Sequence, residues 1–116
     1  MNTMTLSSIL AGITPGKSFR ISGESVDESK YAEAVIYRDP SQKPSWSQVQ
    51  AREPSEQWVV IRGQRDRKLR ASDWSVLSDV PLTAGKKAEW ETYRQALRDI
   101  TTQPDPFNIT WPTPPA

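Results

Sequence analysis

The sequence predicts an α+β fold: a small N-terminal helix–two-strand–helix piece joined to a C-terminal helical hairpin with an extended proline-rich tail. Apolar residues recur at helical spacing in two separate segments, and short alternating or β-branched segments lie between them. Five of the ten prolines lie after residue 103, and proline can continue neither a helix nor a central strand. We therefore predict an N-terminal α/β piece at 1–54, a helical region at 55–103 and a tail at 104–116.

The first predicted element is an amphipathic helix. Its apolar side chains recur at helical spacing, which places them on one face, and Pro15-Gly16 ends the pattern with residues that favour a turn. The residues of this face are Leu6, Ile9, Leu10 and Ile13.

Two strand candidates follow the first helix. Residues 19–22 alternate between apolar and polar side chains, and residues 32–37 end in three side chains that suit a pleated surface. Asp39-Pro40 closes the second candidate with a turn. Two strands imply at least a hairpin.

A capping box marks the start of the next helix. Ser45 and Gln48 have the three-residue spacing at which a serine and a glutamine satisfy each other's backbone N–H groups. We expect Pro54 to end this short helix, because proline lacks the N–H that a helix interior needs.

The segment after Pro54 is ambiguous from its residues alone. Ser55 as a cap and the charged stretch up to Arg70 favour a helix. Three consecutive β-branched residues at 59–61 and the following Gly63 favour a strand.

The last predicted helix is better defined. Thr83 provides a hydroxyl for its N-cap, and no helix-breaking residue occurs from Lys86 to Ile100. Its apolar face consists of residues spaced at i, i+3, i+7 and i+10, namely Trp90, Tyr93, Leu97 and Ile100.

The tryptophans are interpreted from their local settings. Trp74, together with Leu77, is expected to pin the connector between the last two helices to the core, and Trp90 belongs to a helix face. Trp58 and Trp111 lie in less regular settings and are the only tryptophans for which exposure stays open.

Composition argues against an enzyme. The chain has neither cysteine nor histidine, which excludes disulfides and thiol catalysis and removes the commonest general base and metal ligand. We therefore expect no catalytic residues, no cofactor and no metal. No apolar run approaches the roughly 20 residues of a membrane span, so we expect a soluble protein made in a cytoplasm, without a membrane partner.

Two charge patterns have a functional and a structural interpretation. The segment 62–70 has five basic residues and one acidic residue, but nucleic-acid binding needs a wider basic surface. We expect a solvated helix face and no nucleic-acid partner.

Asp73 and Asp79 lie six residues apart and could act as an acid and base pair, yet each follows a serine where aspartate normally caps local backbone. Local capping is the favoured role.

The C-terminal half resembles the tail assembly chaperone domain of tailed bacteriophages, whose members are often named tail fibre assembly proteins. Four runs carry the resemblance in order: residues 65–74, 79–83, 90–99 and 111–115. In that family the residues before the Asp-Trp pair are commonly helical, so we predict a helix over 55–64, with Trp58, Ile61 and Leu69 facing inward. The residues that form the structural signature are Asp73, Trp74, Asp79, Pro81, Trp90, Tyr93 and Leu97.

The resemblance implies a non-enzymatic accessory that binds a phage tail fibre or another tail or baseplate protein in the host cytoplasm during assembly. Two alternatives remain: a permanent component of the virion tail or baseplate, and a glycan or receptor binder that uses exposed tryptophans. Self-association within an assembly is also left open. The residues 107–111 alternate as an added strand would. The candidate partner-binding residues are Trp111, Phe107, Ile109 and Trp58.

Overall fold

The computed structural model describes residues 1–116 and has the predicted α+β fold. Two compact units, Met1–Gln57 and Trp58–Ala116, make up the chain. The helices and strands are α1 (Thr3–Ile13), β1 (Phe19–Ile21), α2 (Glu28–Ala34), β2 (Val35–Tyr37), α3 (Trp46–Ala71) and α4 (Ala84–Arg98). Short 3-10 helices follow at Pro40–Gln42, Asp73–Val76 and Asp99–Thr102. None of the helices combines the length and the apolar character that crossing a membrane requires.

The predicted apolar face of α1 is confirmed as the centre of the first unit's core. Leu6, Ile9 and Leu10 are at most 2% exposed, and Ile13 packs at the edge of the same cluster. Burying each such side chain contributes about 1.5–3 kcal/mol. The rest of the buried cluster consists of Val26, Tyr31, Val35, Tyr37 and Val49.

The two strands pair antiparallel, with Phe19 opposite Tyr37. The prediction of a strand at 19–22 is confirmed for 19–21, whereas the prediction that 32–37 is all strand is wrong for its first half. Residues Glu28–Ala34 form α2 because the Asp27 carboxylate caps the helix, accepting the N–H of Lys30 at 3.0 Å. The hydroxyl of Ser29 also donates to that carboxylate, and together these bonds lower the pKa of Asp27. The strands are therefore joined through a helix rather than by a tight turn.

Helix α3 begins at the predicted capping box. The Ser45 N–H donates to Oε1 of Gln48 at 2.9 Å, and the Gln48 N–H donates to Oγ of Ser45 at 3.2 Å. The expectation that Pro54 ends this helix is wrong, because α3 continues for 26 residues with Pro54 inside it. Residues 55–64 are helical as predicted. Val49 before the proline and Ile61 after it are both buried, and the packing of such side chains offsets the cost of the missing N–H.

Helix α4 is also confirmed. The Thr83 hydroxyl accepts the N–H of Lys86 at 3.1 Å, and three of the four predicted inward side chains are buried, namely Tyr93, Leu97 and Ile100. Trp90 is half-buried. From residue 109 to the last residue the chain has no helix, turn or bend, as expected for a proline-rich tail.

Replacing Pro54 with alanine should stabilise the protein. The Pro54→Ala variant regains the N–H that the interior of α3 lacks, so its free energy of unfolding in urea should rise by about 1–3 kcal/mol. Ser55→Ala, an exposed position in the same helix, should change it by less than about 0.5 kcal/mol. Equal stability of the two variants would show that Pro54 costs nothing where it lies, which would contradict its place in the interior of α3.

The buried side chain of Tyr31 should make stability depend on pH in the alkaline range. Its side chain is 7% exposed and its hydroxyl donates to the carbonyl of Pro44 at 2.7 Å. Burial, and secondarily the neighbouring Tyr37, raises the pKa of Tyr31 to about 12 from the ordinary 10.0. Between these two values the unfolded chain has lost a proton that the folded chain still holds.

The free energy of unfolding should therefore fall as the pH rises from 10 towards 12. In Tyr31→Phe this contribution is absent, so the decline should be shallower, although the variant starts less stable because it lacks the bond to Pro44. Urea titrations at a series of alkaline pH values measure both slopes. Identical slopes would contradict the assignment to Tyr31.

Candidate protein-binding surface

A buried arginine organises the second unit. Arg94 on α4 is 7% exposed, and its guanidinium donates to the carbonyl of Leu69 and to Oγ of Ser72, both at 2.7 Å. It also donates to the carboxylate of Asp73 at 3.0 Å. Its Nε is buried without a partner. One side chain of α4 thus holds the last turn of α3 and the start of the connector.

The prediction that Asp73 is a local cap is wrong. Its carboxylate pairs with Arg94, which lies 21 residues further along the chain. No pattern in the sequence marks Arg94, because its partners are distant in sequence and two of them are a backbone carbonyl and a serine hydroxyl. Asp79, the other acidic residue considered, lies exposed in the connector.

Two buried serines shape the connector. The Ser72 hydroxyl donates to the carbonyls of Lys68 and Leu69 at 3.1 Å, and the Ser75 hydroxyl donates to the carbonyl of Ser72 at 2.7 Å. Residues three apart in a 3-10 helix lie on the same side, so Ser72 and Ser75 both face inward. The intervening and following apolar side chains are therefore turned towards solvent.

These outward side chains form what we call the connector patch, which consists of Trp74, Val76 and Leu77. They are 44%, 56% and 55% exposed. The expectation that Trp74 and Leu77 are buried anchors is wrong, because the inward positions of the 3-10 helix are occupied by serines. Trp74 does contact α4, with its ring 5.1 Å from that of Trp90 in an edge-to-face arrangement, and Trp90 contacts Tyr93 in the same way at 5.7 Å.

The tail after residue 103, which we call the arm, is fastened by one glutamine. The Gln103 side-chain amide donates to the carbonyl of Thr110 and accepts the N–H of Thr110, both at 2.9 Å. Before this pairing, the Asp105 carboxylate accepts the N–H of Phe107 at 2.9 Å and closes a turn. The arm is thus attached beyond the end of α4 by a side chain that bonds both backbone groups of one residue, as a neighbouring strand does.

The arm lies against both helices of the second unit. Nζ of Lys68 on α3 lies 5.3 Å from the centre of the Trp111 ring, a cation–π contact worth about 0.5–1 kcal/mol when exposed. On α4, an open groove of about 480 Å³ separates the helix from the end of the arm. The residues that line the groove are Ala88, Glu89, Thr92, Tyr93, Ala96, Pro112, Thr113 and Pro115.

The predicted partner-binding residues differ in exposure. Phe107 is 54% exposed, whereas Ile109, Trp111 and Trp58 are half-buried. The most exposed tryptophan is Trp74, which was expected to be buried. The partner-binding role of the four predicted residues stays a prediction.

The signature residues are partly brought together. Asp73 and Trp74 lie at one end of the connector beside Arg94, Trp90 and Tyr93 on α4. Leu97 is fully buried, and Pro81 is exposed. Nowhere does the chain gather three carboxylates that could hold a metal ion.

Comparison with known proteins identifies the class of protein to which the chain belongs. Residues 58–116, which form the second unit, match the family model described as phage tail assembly chaperone protein. The chain belongs to this family, and it is an accessory of phage tail assembly.

One solved structure is also similar. It is the solution structure of protein CV0426 from Chromobacterium violaceum, which is 35% identical, with the match covering 81% of this chain and 88% of that chain at a TM-score of 0.46. No curated protein matches the sequence.

Removing the Arg94 side chain should strongly destabilise the protein. Arg94→Ala removes the donor to the Ser72 hydroxyl and one of the donors to the Leu69 carbonyl, together with the packing of a buried side chain, so the free energy of unfolding should fall by about 2–4 kcal/mol. Asp73→Asn should cost at most about 1 kcal/mol, because that carboxylate is largely exposed.

The matched control for Arg94 is Arg98→Ala, an exposed arginine on the same helix. It should change the unfolding free energy by about 0.5 kcal/mol or less. If thermal and urea unfolding showed equal losses for both arginine variants, the organising role of Arg94 would be refuted.

Proposed function

We propose that this protein binds a tail or tail fibre polypeptide through the connector patch and the arm, and keeps that polypeptide competent for assembly. The observation that supports this most directly is the distribution of exposed apolar side chains. Of the eight large apolar residues that are exposed, six lie in the second unit, which is the part that matches the family. They are Val59, Val60, Trp74, Val76, Leu77 and Phe107.

The chemistry of unfinished tails suits such a surface. Polypeptides that have not yet joined their assembly expose strand edges and apolar seams, and these aggregate unless they are covered. Apolar contacts are non-directional, so a patch of this kind can cover a segment before that segment has reached its final structure. Binding of this type needs no catalysis, and a non-enzymatic role is what the family suggests.

The connector patch is held in place before any partner arrives. Ser72 and Ser75 direct its side chains outward, and Arg94 ties the connector to α4. Little conformational freedom is therefore lost from the connector when a partner binds, and this raises affinity for a given contact area. The proposed site of action is the cytoplasm of the host, during tail assembly.

Co-expression tests this function. The protein is produced together with the tail and fibre polypeptides of the same phage, and the soluble fraction of each polypeptide is measured with and without it. The wild type should raise the soluble fraction of at least one of them and should co-purify with it. If every polypeptide is as soluble without the protein as with it, the proposed function is wrong.

Changing the connector patch should weaken this effect without unfolding the protein. Both Val76 and Leu77 are more than half exposed, so Val76→Ser combined with Leu77→Ser should leave stability nearly unchanged. Binding should drop about tenfold, which corresponds to losing roughly 1.4 kcal/mol of apolar contact. The control is Ile36→Ser, an exposed apolar residue in the first unit, which should bind like wild type.

The composition of purified virions distinguishes an assembly accessory from a permanent component of the tail. Mass spectrometry of purified virions should find the protein absent or far below the amount of the tail polypeptide it binds. Stoichiometric amounts in the particle would make it a tail or baseplate component that uses the same surface.

A further inference from the structure

The arm has two unlike backbone edges. Consecutive residues of an extended chain direct their N–H and C=O groups to opposite edges. Both backbone groups of Thr110 are bonded to the Gln103 amide, so the edge that includes Thr110 faces the protein's own second unit. In a strand that continues this pairing, the backbone groups of Ile109 and Trp111 face the opposite edge.

Proline placement reinforces this difference. Pro112 and Pro114 continue the inner series that begins at Thr110, and they lack an N–H. The outer series consists of Ile109, Trp111 and Thr113, all of which keep an N–H. None of these three N–H groups has a hydrogen-bond partner within the chain.

The outer series is bounded on both sides. The Phe107 N–H is used by the Asp105 carboxylate, and the Asn108 N–H by the Asp105 carbonyl at 3.2 Å. After Thr113 come Pro114 and Pro115. The segment in which alternate residues have an unpaired backbone N–H is therefore 109–113.

From this geometry we propose that residues 109–113 form a strand edge that pairs with an extended segment of the bound tail polypeptide. The inference rests on the proposed function and specifies its mode of recognition, which is strand addition. The partner's backbone would bond to Ile109, Trp111 and Thr113, while Gln103 and the contact of Lys68 with Trp111 hold the arm from behind. Hydrogen bonds between backbones depend little on the side chains of the partner. This mode of binding therefore suits extended segments that differ in sequence.

A single proline substitution tests the outer edge. Thr113→Pro removes one outer N–H but keeps the backbone extended, because the residue already lies between two prolines. Thr113→Ala is the matched control, since it removes the same side chain and keeps the N–H. The probes are overlapping synthetic peptides that tile the tail and fibre polypeptides of the same phage, with binding measured by fluorescence anisotropy.

Thr113→Pro should bind the recognised peptide about fivefold more weakly than wild type, the effect of losing one hydrogen bond. Thr113→Ala should bind within about twofold of wild type. If both variants bind equally well, the strand edge is overturned while the proposed function stands. If wild type binds none of the peptides and none of the full-length polypeptides, the proposed function fails and the strand edge fails with it.

Amide hydrogen exchange locates the pairing directly. In the free protein the Thr110 amide should exchange slowly because Gln103 holds it, and those of Ile109, Trp111 and Thr113 should exchange fast. Adding the recognised peptide should slow these three together. Unchanged exchange there would overturn the proposal, as would a dimer of the protein that forms without peptide and is abolished by Thr113→Pro, since the occupant would then be a second copy.

Discussion

The second unit depends on the burial of one positive charge. A guanidinium removed from water must find acceptors, or its burial costs several kcal/mol. Arg94 finds them at the end of α3 and the start of the connector, in the Leu69 carbonyl, the Ser72 hydroxyl and the Asp73 carboxylate. The observed path of the connector supplies all three at once. These bonds tie the chain between the two helices to α4, in addition to the small apolar core of this unit.

The exposed character of the connector patch follows from the same constraint. Because Ser72 and Ser75 occupy the inward positions, Trp74, Val76 and Leu77 have no place in the core. An apolar residue in place of Ser72 would remove one of the acceptors of Arg94, so the burial of the guanidinium and the path of the connector depend on the same serine. The protein thus keeps apolar groups in water at a cost to solubility, which is the usual mark of an interaction site.

Local signals in the sequence predicted local structure well. The capping box at Ser45, the Thr83 cap and the apolar face of α1 were sufficient to predict three helices, because each signal acts within one or two turns. Helix α2 was missed since it is only seven residues long and buries a single side chain, Tyr31. The course of α3 through Pro54 was missed as well, because packing on both sides outweighed the local cost of proline.

The candidate surface was harder to predict because its features join distant residues. Nothing near Arg94 in the sequence indicates a bond to Leu69, 25 residues earlier. The arm was expected to be extended and adhesive, yet its attachment by Gln103 depends on a side chain seven residues from its partner, Thr110.

The attachment of the arm by Gln103 also has an evolutionary consequence. A carboxamide offers a donor and an acceptor in one planar group whereas an ionised carboxylate only accepts, and glutamine codons are one base from those for glutamate. A single nucleotide change could thus release the arm without touching any residue of the helices.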